Sequence, residues 1–189
     1  MSWETISSEI KFENAHLAVA IERVRTPTRE RSWTTVHRKM AVVIAAITAE
    51  SKIVLINQER IPIRATIWEM PAGQIDRPAD EPGKEAREVA LRELREETGY
   101  ELAPGGELIA LGDLFSSPGF TDEREFLFAA KPVRPSPNGH AQGEGETIHD
   151  CREFSPLEIQ GMIADNTIRD ANTLSAWARL LARKIIVPI

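Results

Sequence analysis

Apolar positions along this chain follow two rhythms. An unbroken apolar run from Met40 to Ile47 opens a β-branched pair of segments, Ala41–Thr48 and Lys52–Asn57, joined around Ala49–Ser51. Both read as buried strands. Shorter runs predict strands at Thr66–Met70, Leu108–Phe115, Glu125–Ala130 and Thr147–Phe154. Ahead of them, Ala15–Val24 and Trp33–Arg38 read as strands separated by the turn-like Thr26-Pro-Thr-Arg-Glu30. The rhythm changes over Glu85–Thr98, where Ala86, Ala90 and Leu94 form a helical stripe among good helix formers and Gly99 stands at the C-cap. Ser155-Pro-Leu-Glu158 is a capping box with proline at the first helical position, starting a helix to Asp165. A last helix, Ala171–Lys184, is predicted to bury Leu174, Trp177 and Leu181. Pro104-Gly-Gly106 and the stretch from Pro132 to Gly145 read as loops. Strands before, between and after the helices predict an α/β domain over residues 40–189, preceded by a β extension at 1–39.

Composition narrows the function. The net charge of −6 argues against sequence-independent nucleic-acid binding, which needs a basic surface. It leaves open a polyphosphate ligand, since local arginines and a divalent cation set the field in a site. A single cysteine, Cys151, excludes an internal disulfide or a cysteine-rich zinc site. The apolar run at Met40–Ile47 is too short to span a bilayer, and no signal-like h-region opens the chain, so no membrane partner and a cytoplasmic location are expected. His37, His140 and His149 lack the spacing of a metal triad.

Arg92-Glu-Leu-Arg-Glu-Glu-Thr-Gly-Tyr100 concentrates three carboxylates on one helical turn. Glu93 and Glu97 share a face at i, i+4, with Glu96 beside them, and such like-charge pairs cost about 0.2–0.5 kcal/mol in an isolated helix. A hard divalent cation would turn that repulsion into ligation; a solvated face neutralised by Arg87, Arg92 and Arg95 is the plainer reading. The residues ahead decide between them. With Glu69-Met-Pro-Ala-Gly73, the stretch resembles the Nudix box, G-x5-E-x7-R-E-U-x-E-E-x-G-U, in which U is a bulky apolar residue. Gly73, Arg92, Glu93, Leu94, Glu96, Glu97, Gly99 and Tyr100 fill it. Lys84 stands where the first glutamate belongs, and Gln74–Gly83 carries five extra residues, so Glu81 or Glu85 would have to substitute.

The resemblance implies a Nudix fold: a mixed β-sheet sandwiched between helices (α/β/α). It also implies hydrolysis of a nucleoside diphosphate linked to another group. Glu93, Glu96, Glu97 and the Ala72 carbonyl would bind Mg²⁺, with Mn²⁺ as the alternative, while Arg92 orients the carboxylates, catalysis involving Arg92 and Glu96 as well. Gly143-Glu-Gly-Glu146 is similar to the loop that supplies the general base in the ADP-ribose group, with Glu146 ahead of Glu144. Ser117-Pro-Gly-Phe-Thr-Asp-Glu123 looks like the post-box loop of ADP-ribose pyrophosphatases, making Pro118 and Gly119 substrate contacts. Trp33-Thr-Thr-Val-His-Arg38 is similar to the segment that stacks an indole on adenine and offers an arginine. Gln58-Glu-Arg60 matches the motif whose arginine faces the phosphates. A nucleotide-sugar substrate, namely ADP-ribose or a related ADP-sugar cleaved to AMP and a sugar phosphate, and a homodimer with Trp33 and Arg38 acting in trans are therefore expected. Another nucleotide sugar, such as GDP-mannose, or a silent nucleotide-binding module is the alternative.

Overall fold

The computed structural model describes residues 3–76, 84–137, 139 and 147–187. The chain divides into two compact units, one of residues 1–40 with 115–125, the other of 41–114 with 126–189.

In the larger unit, β4 (Ala41–Thr48) is buried at every position and β5 (Ile53–Arg60) at most of its own. Alternation along a strand sends successive side chains to opposite faces. Val43, Ala45, Ile47, Ile53 and Leu55 pack with Ile159 of α2 (Pro156–Ala164) and Ala176, Trp177 and Leu180 of α3 (Ala171–Ala182). Val42, Ile44, Ala46 and Val54 pack instead with Ala86, Val89, Ala90 and Leu94 of α1 (Lys84–Thr98). The central strands are thus apolar on both sides because helices cover both, and truncating a buried leucine here costs about 2–5 kcal/mol.

Strand order in this sheet is β10-β5-β4-β9-β8, with β8 spanning Tyr100–Phe115, β9 Arg124–Pro135 and β10 Ile148–Phe154. Beyond their shared pairs at Ala46↔Val54 and Ile47↔Ile53, β4 and β5 take different partners. β5 pairs β6 (Ala65–Glu69), and β4 pairs β7 (Ala72–Gln74). The segment Glu69–Ala72 therefore crosses a fork in the sheet.

In the smaller unit, β1 (Glu4–Glu13), β2 (Leu17–Arg25) and β3 (Glu30–Arg38) form an antiparallel meander in which only Ala20 is fully buried. Among the described residues, no helix is long and apolar enough to cross a membrane.

Several boundaries differ from expectation. β1 was not predicted, because Glu4–Glu13 is mostly polar and exposed and carries no buried alternation. The loop expected at Pro104-Gly-Gly106 lies inside β8. Gly105 takes φ +78°, open only to glycine at low cost, and a Cβ on Gly106 would sit 2.6 Å from the Pro132 carbonyl. The glycines here bend a strand past its neighbour instead of ending it. Likewise Pro132–Pro135, expected as loop, completes β9. On α3, Leu180 and Ala176 are fully buried, whereas Leu174 and Leu181 are partly buried at the core margin. The capping box is as expected: Ser155 Oγ accepts from Glu158 N at 3.3 Å, and Ser155 N donates to the Glu158 carboxylate at 2.7 Å.

Candidate active site

Two adjacent stripes of α1 are buried. One is Ala86, Ala90 and Leu94; the other continues Val89 into Glu93 and Glu97, whose exposures are only 7% and 1%. Helical spacing alone puts these carboxylates in line. The helix ends at Gly99, which takes φ +70° and donates its N–H to the Arg95 carbonyl at 2.9 Å, as a left-handed cap does.

The fork brings backbone to this stripe. Ile44 N donates to Pro71 O at 2.9 Å, and Ala72 N donates to Glu97 Oε2 at 2.8 Å. A Cβ on Gly73 would lie 2.1 Å from Glu93 Cδ, so only glycine leaves room for that carboxylate. Arg92 bridges its neighbours, with Nη2 2.7 Å from Glu93 Oε1 and Nη1 2.8 Å from Glu96 Oε2. Lys84 is exposed at the first residue of α1, and Glu85 lies in the first turn, where a negative charge suits the helix dipole. Among the described residues, no three His, Cys, Asp or Glu side chains stand close enough together to hold a metal ion. The donor chemistry still fits a hard divalent cation: carboxylates buried on one helical stripe, a third on the same turn, and backbone brought up against them.

Arg60, at the end of β5, pairs through Nε with Glu69 Oε1 at 2.7 Å. Two residues earlier, Gln58 is 3% exposed and its Oε1 has no hydrogen-bond partner. Burial, together with nearby Asp150, Glu153 and Glu97, pushes the Cys151 thiol up to about 12, so it is a neutral, unreactive group.

The other candidate residues belong to the smaller unit, where residues 116–123 dock on β3. The Trp33 indole N–H donates to Gly119 O at 2.9 Å, and Val36 N donates to Phe120 O at 2.7 Å. His37 Nδ1 lies 2.7 Å from Asp122 Oδ2, and Arg38 N donates to Asp122 Oδ1 at 3.1 Å. The Arg38 guanidinium is 3.2 Å from Glu123 Oε1, whose other oxygen accepts from Ser116 Oγ at 2.8 Å. The indole remains 49% exposed despite its hydrogen bond. Trp33, Arg38, Pro118 and Gly119 are thus gathered in one unit, while Ala72, Arg60 and the α1 carboxylates are gathered in the other. Glu144 and Glu146 lie outside the described residues, as do Glu81 and most of the Gln74–Gly83 insertion.

Sequence reasoning gave no role to Asp122, Glu123, His37 or Glu69. The two acids stood in the recognised Ser117–Glu123 string, and Glu69 in the run leading to Gly73. Asp122 and Glu123 meet partners about 85 positions away, and Glu69 meets Arg60 across the β5–β6 pairing, so no helical or motif spacing signalled the contacts.

A family model for the NUDIX domain matches residues 37–177. A methanol dehydrogenase activator of Bacillus methanolicus is 34% identical over 174 residues, 92% of this chain and 89% of that one. An ADP-ribose pyrophosphatase of Bacillus subtilis is 30% identical over the same length and coverage. Another, from Mycobacterium tuberculosis, is 31% identical over 185 residues, 93% of this chain and 84% of the relative. A crystal structure of an ADP compounds hydrolase superposes with a TM-score of 0.78 over 98% of both chains at 18% identity, a likeness of fold.

Proposed function

The chain belongs to the Nudix family, and on that premise we propose that it hydrolyses the diphosphate bond of ADP-ribose or a related ADP-sugar. One observation carries this reading: Ala72 N–H and Gly73 are brought against Glu97 and Glu93, so the fork and the helix bring backbone and two buried carboxylates together. Support for the substrate comes from the ADP-ribose pyrophosphatases among the relatives and from the Trp33–Gly119 and Arg38–Glu123 contacts.

A diphosphate repels an incoming nucleophile, so its hydrolysis needs charge neutralisation and alignment. Glu93, Glu96, Glu97 and the Ala72 carbonyl would hold Mg²⁺ or Mn²⁺, which supplies that neutralisation and acidifies water. Arg92 fixes the rotamers of Glu93 and Glu96 by pairing with both. Arg60 offers its guanidinium to the phosphates, Trp33 its ring face to adenine, and Arg38 with Pro118 and Gly119 further substrate contacts. Glu146, or Glu144 two residues earlier in the chain, takes the proton of the attacking water. One P–O bond of the diphosphate bridge breaks as the new one forms, leaving AMP and ribose 5-phosphate.

The protein acts as a homodimer in which a second copy supplies Trp33 and Arg38. Exposed Ile10, Phe12 and Ile21 on the β1–β3 sheet support a covered surface there. Incubation with ADP-ribose, ADP-glucose and GDP-mannose, with Mg²⁺ and with EDTA, tests the reading by product chromatography. AMP from ADP-ribose only with Mg²⁺ is expected. Faster turnover of GDP-mannose moves the substrate assignment, and no product from any of the three removes the activity.

A further inference from the structure

We propose that His37 is a positioning residue: carried as an imidazolium between Asp122 and Glu22, it seats residues 116–123 on β3 and so sets the Trp33 indole for the substrate base. The proposal rests on the reading above only for the ligand that Trp33 meets.

Residues 116–123 join β3 through an isolated bridge, Val36 paired in parallel with Thr121. A bridge that short leaves the seating to the side chains around it. The Trp33 indole N–H donates to Gly119 O. Asp122 is gripped twice, by Arg38 N at Oδ1 and by His37 Nδ1 at Oδ2, the latter 2.7 Å away. Trp33 and His37 stand four residues apart on one strand, so their side chains leave the same face. Gly119 and Asp122 are three residues apart, in a turn where Ser117 O accepts from both Phe120 N and Thr121 N at 3.1 Å. The grip on Asp122 therefore fixes the carbonyl that holds the indole.

The other ring nitrogen faces a second carboxylate. His37 Nε2 lies 3.8 Å from Glu22 Oε1, and Glu22 is itself fixed by Thr35 Oγ1, which donates to Oε2 at 2.7 Å. A neutral imidazole has one N–H and one lone pair, so it would turn the lone pair toward one of these anions; an imidazolium offers an N–H to each. Along the same register, Glu13 stands opposite Ala18 and Ala18 opposite His37, a third acid on that face. The cations that follow in the chain are Arg38, whose guanidinium is taken by Glu123, and Lys39. The ring thus sits among acids. Imidazoles ordinarily change charge between about pH 5 and 8. Because the seated loop goes with the charged ring, affinity for the base is full on the acid side of the His37 titration and falls as pH rises through it.

His37→Gln keeps a side-chain N–H for Asp122 but cannot take up a proton. KM and kcat for ADP-ribose are measured from about pH 5.5 to 8.5 for the wild type, His37→Gln and Glu22→Gln. The His37 ring and the Trp33 indole N–H are followed by NMR over the same range without substrate. The KM of His37→Gln is expected to exceed that of the wild type about fivefold at the acid end and to match it at the alkaline end, with kcat equal throughout. Glu22→Gln should show part of the same loss, at the acid end only. The Trp33 indole signal should titrate together with the His37 ring in the wild type and hold still in His37→Gln. A KM ratio that does not vary with pH, or an indole signal indifferent to the His37 ring, overturns the proposal. Coupled NMR signals in a protein that leaves ADP-ribose uncleaved would strike the proposed substrate and not His37.

Discussion

The two regions that carry candidate chemistry are built in opposite ways. Around α1, the carboxylates are placed by helical periodicity and buried with the apolar stripe that continues into them. Around β3, Trp33, His37 and Arg38 stand on a largely exposed strand and are held through residues 84 to 86 positions later in the chain. A helix writes its geometry into short spacings, whereas a docked loop writes it into pairs that no spacing rule connects. The buried cluster has little freedom to tolerate chemical change; the exposed one has adjustable partners. Substitutions in the first should therefore strike turnover, and substitutions in the second should strike binding.

The largest effect is expected from Glu97→Gln, which keeps the shape and removes the anionic donor. Turnover should fall at least about 100-fold with the fold retained, measured as kcat together with a thermal melt. Wild-type turnover would erase the contrast between the regions. Gly73→Ala comes next. The atoms in its way are the far end of the Glu93 side chain, so the carboxylate moves before the backbone does. A roughly tenfold or greater loss of kcat is expected, with a smaller drop in melting temperature than Leu94→Ala produces.

In the exposed region, Trp33→Ala should raise KM about tenfold, the scale of losing one base-stacking surface, and leave kcat within about twofold. Asp122→Ala removes the acceptor for both His37 and Arg38 N and should reproduce part of that KM change, on the order of 1 kcal/mol. A fall in kcat without a change in KM for either variant would show that the two regions do not divide the work as described. The smallest effect concerns Cys151. A thiol raised from 9.0 toward about 12 contributes stability fully below the unfolded pKa and loses it as pH climbs through that interval. Native protein at pH 8 should react with a thiol reagent far more slowly than denatured protein, with no change in activity.

What the sequence disclosed follows the same division. The Gly73–Tyr100 motif was legible because its residues are spaced by a helix and a short loop. β4 and β5 were legible because burial on both faces leaves them uniformly apolar. β8 was hidden by Gly105 and Gly106, which ordinarily signal a loop but here let a strand bend close to Pro132. β1 was hidden because Glu4–Glu13 is mostly polar and none of it is buried, although Ile6, Ile10 and Phe12 fall at strand-like spacings. Trp33, Arg38 and Arg60 were singled out from local motifs. Glu69, Asp122 and Glu123 were not, since each pairs with a side chain that no local motif names.

Everything depends on α1 and the fork holding a divalent cation against a diphosphate. Electron paramagnetic resonance of Mn²⁺ titrated into the protein, with α,β-methylene ADP-ribose present, addresses this directly. The account predicts saturable Mn²⁺ binding that the analogue tightens and that Glu97→Gln weakens at least about tenfold. Binding of equal strength in the wild type and in Glu97→Gln, or none in either, would contradict it.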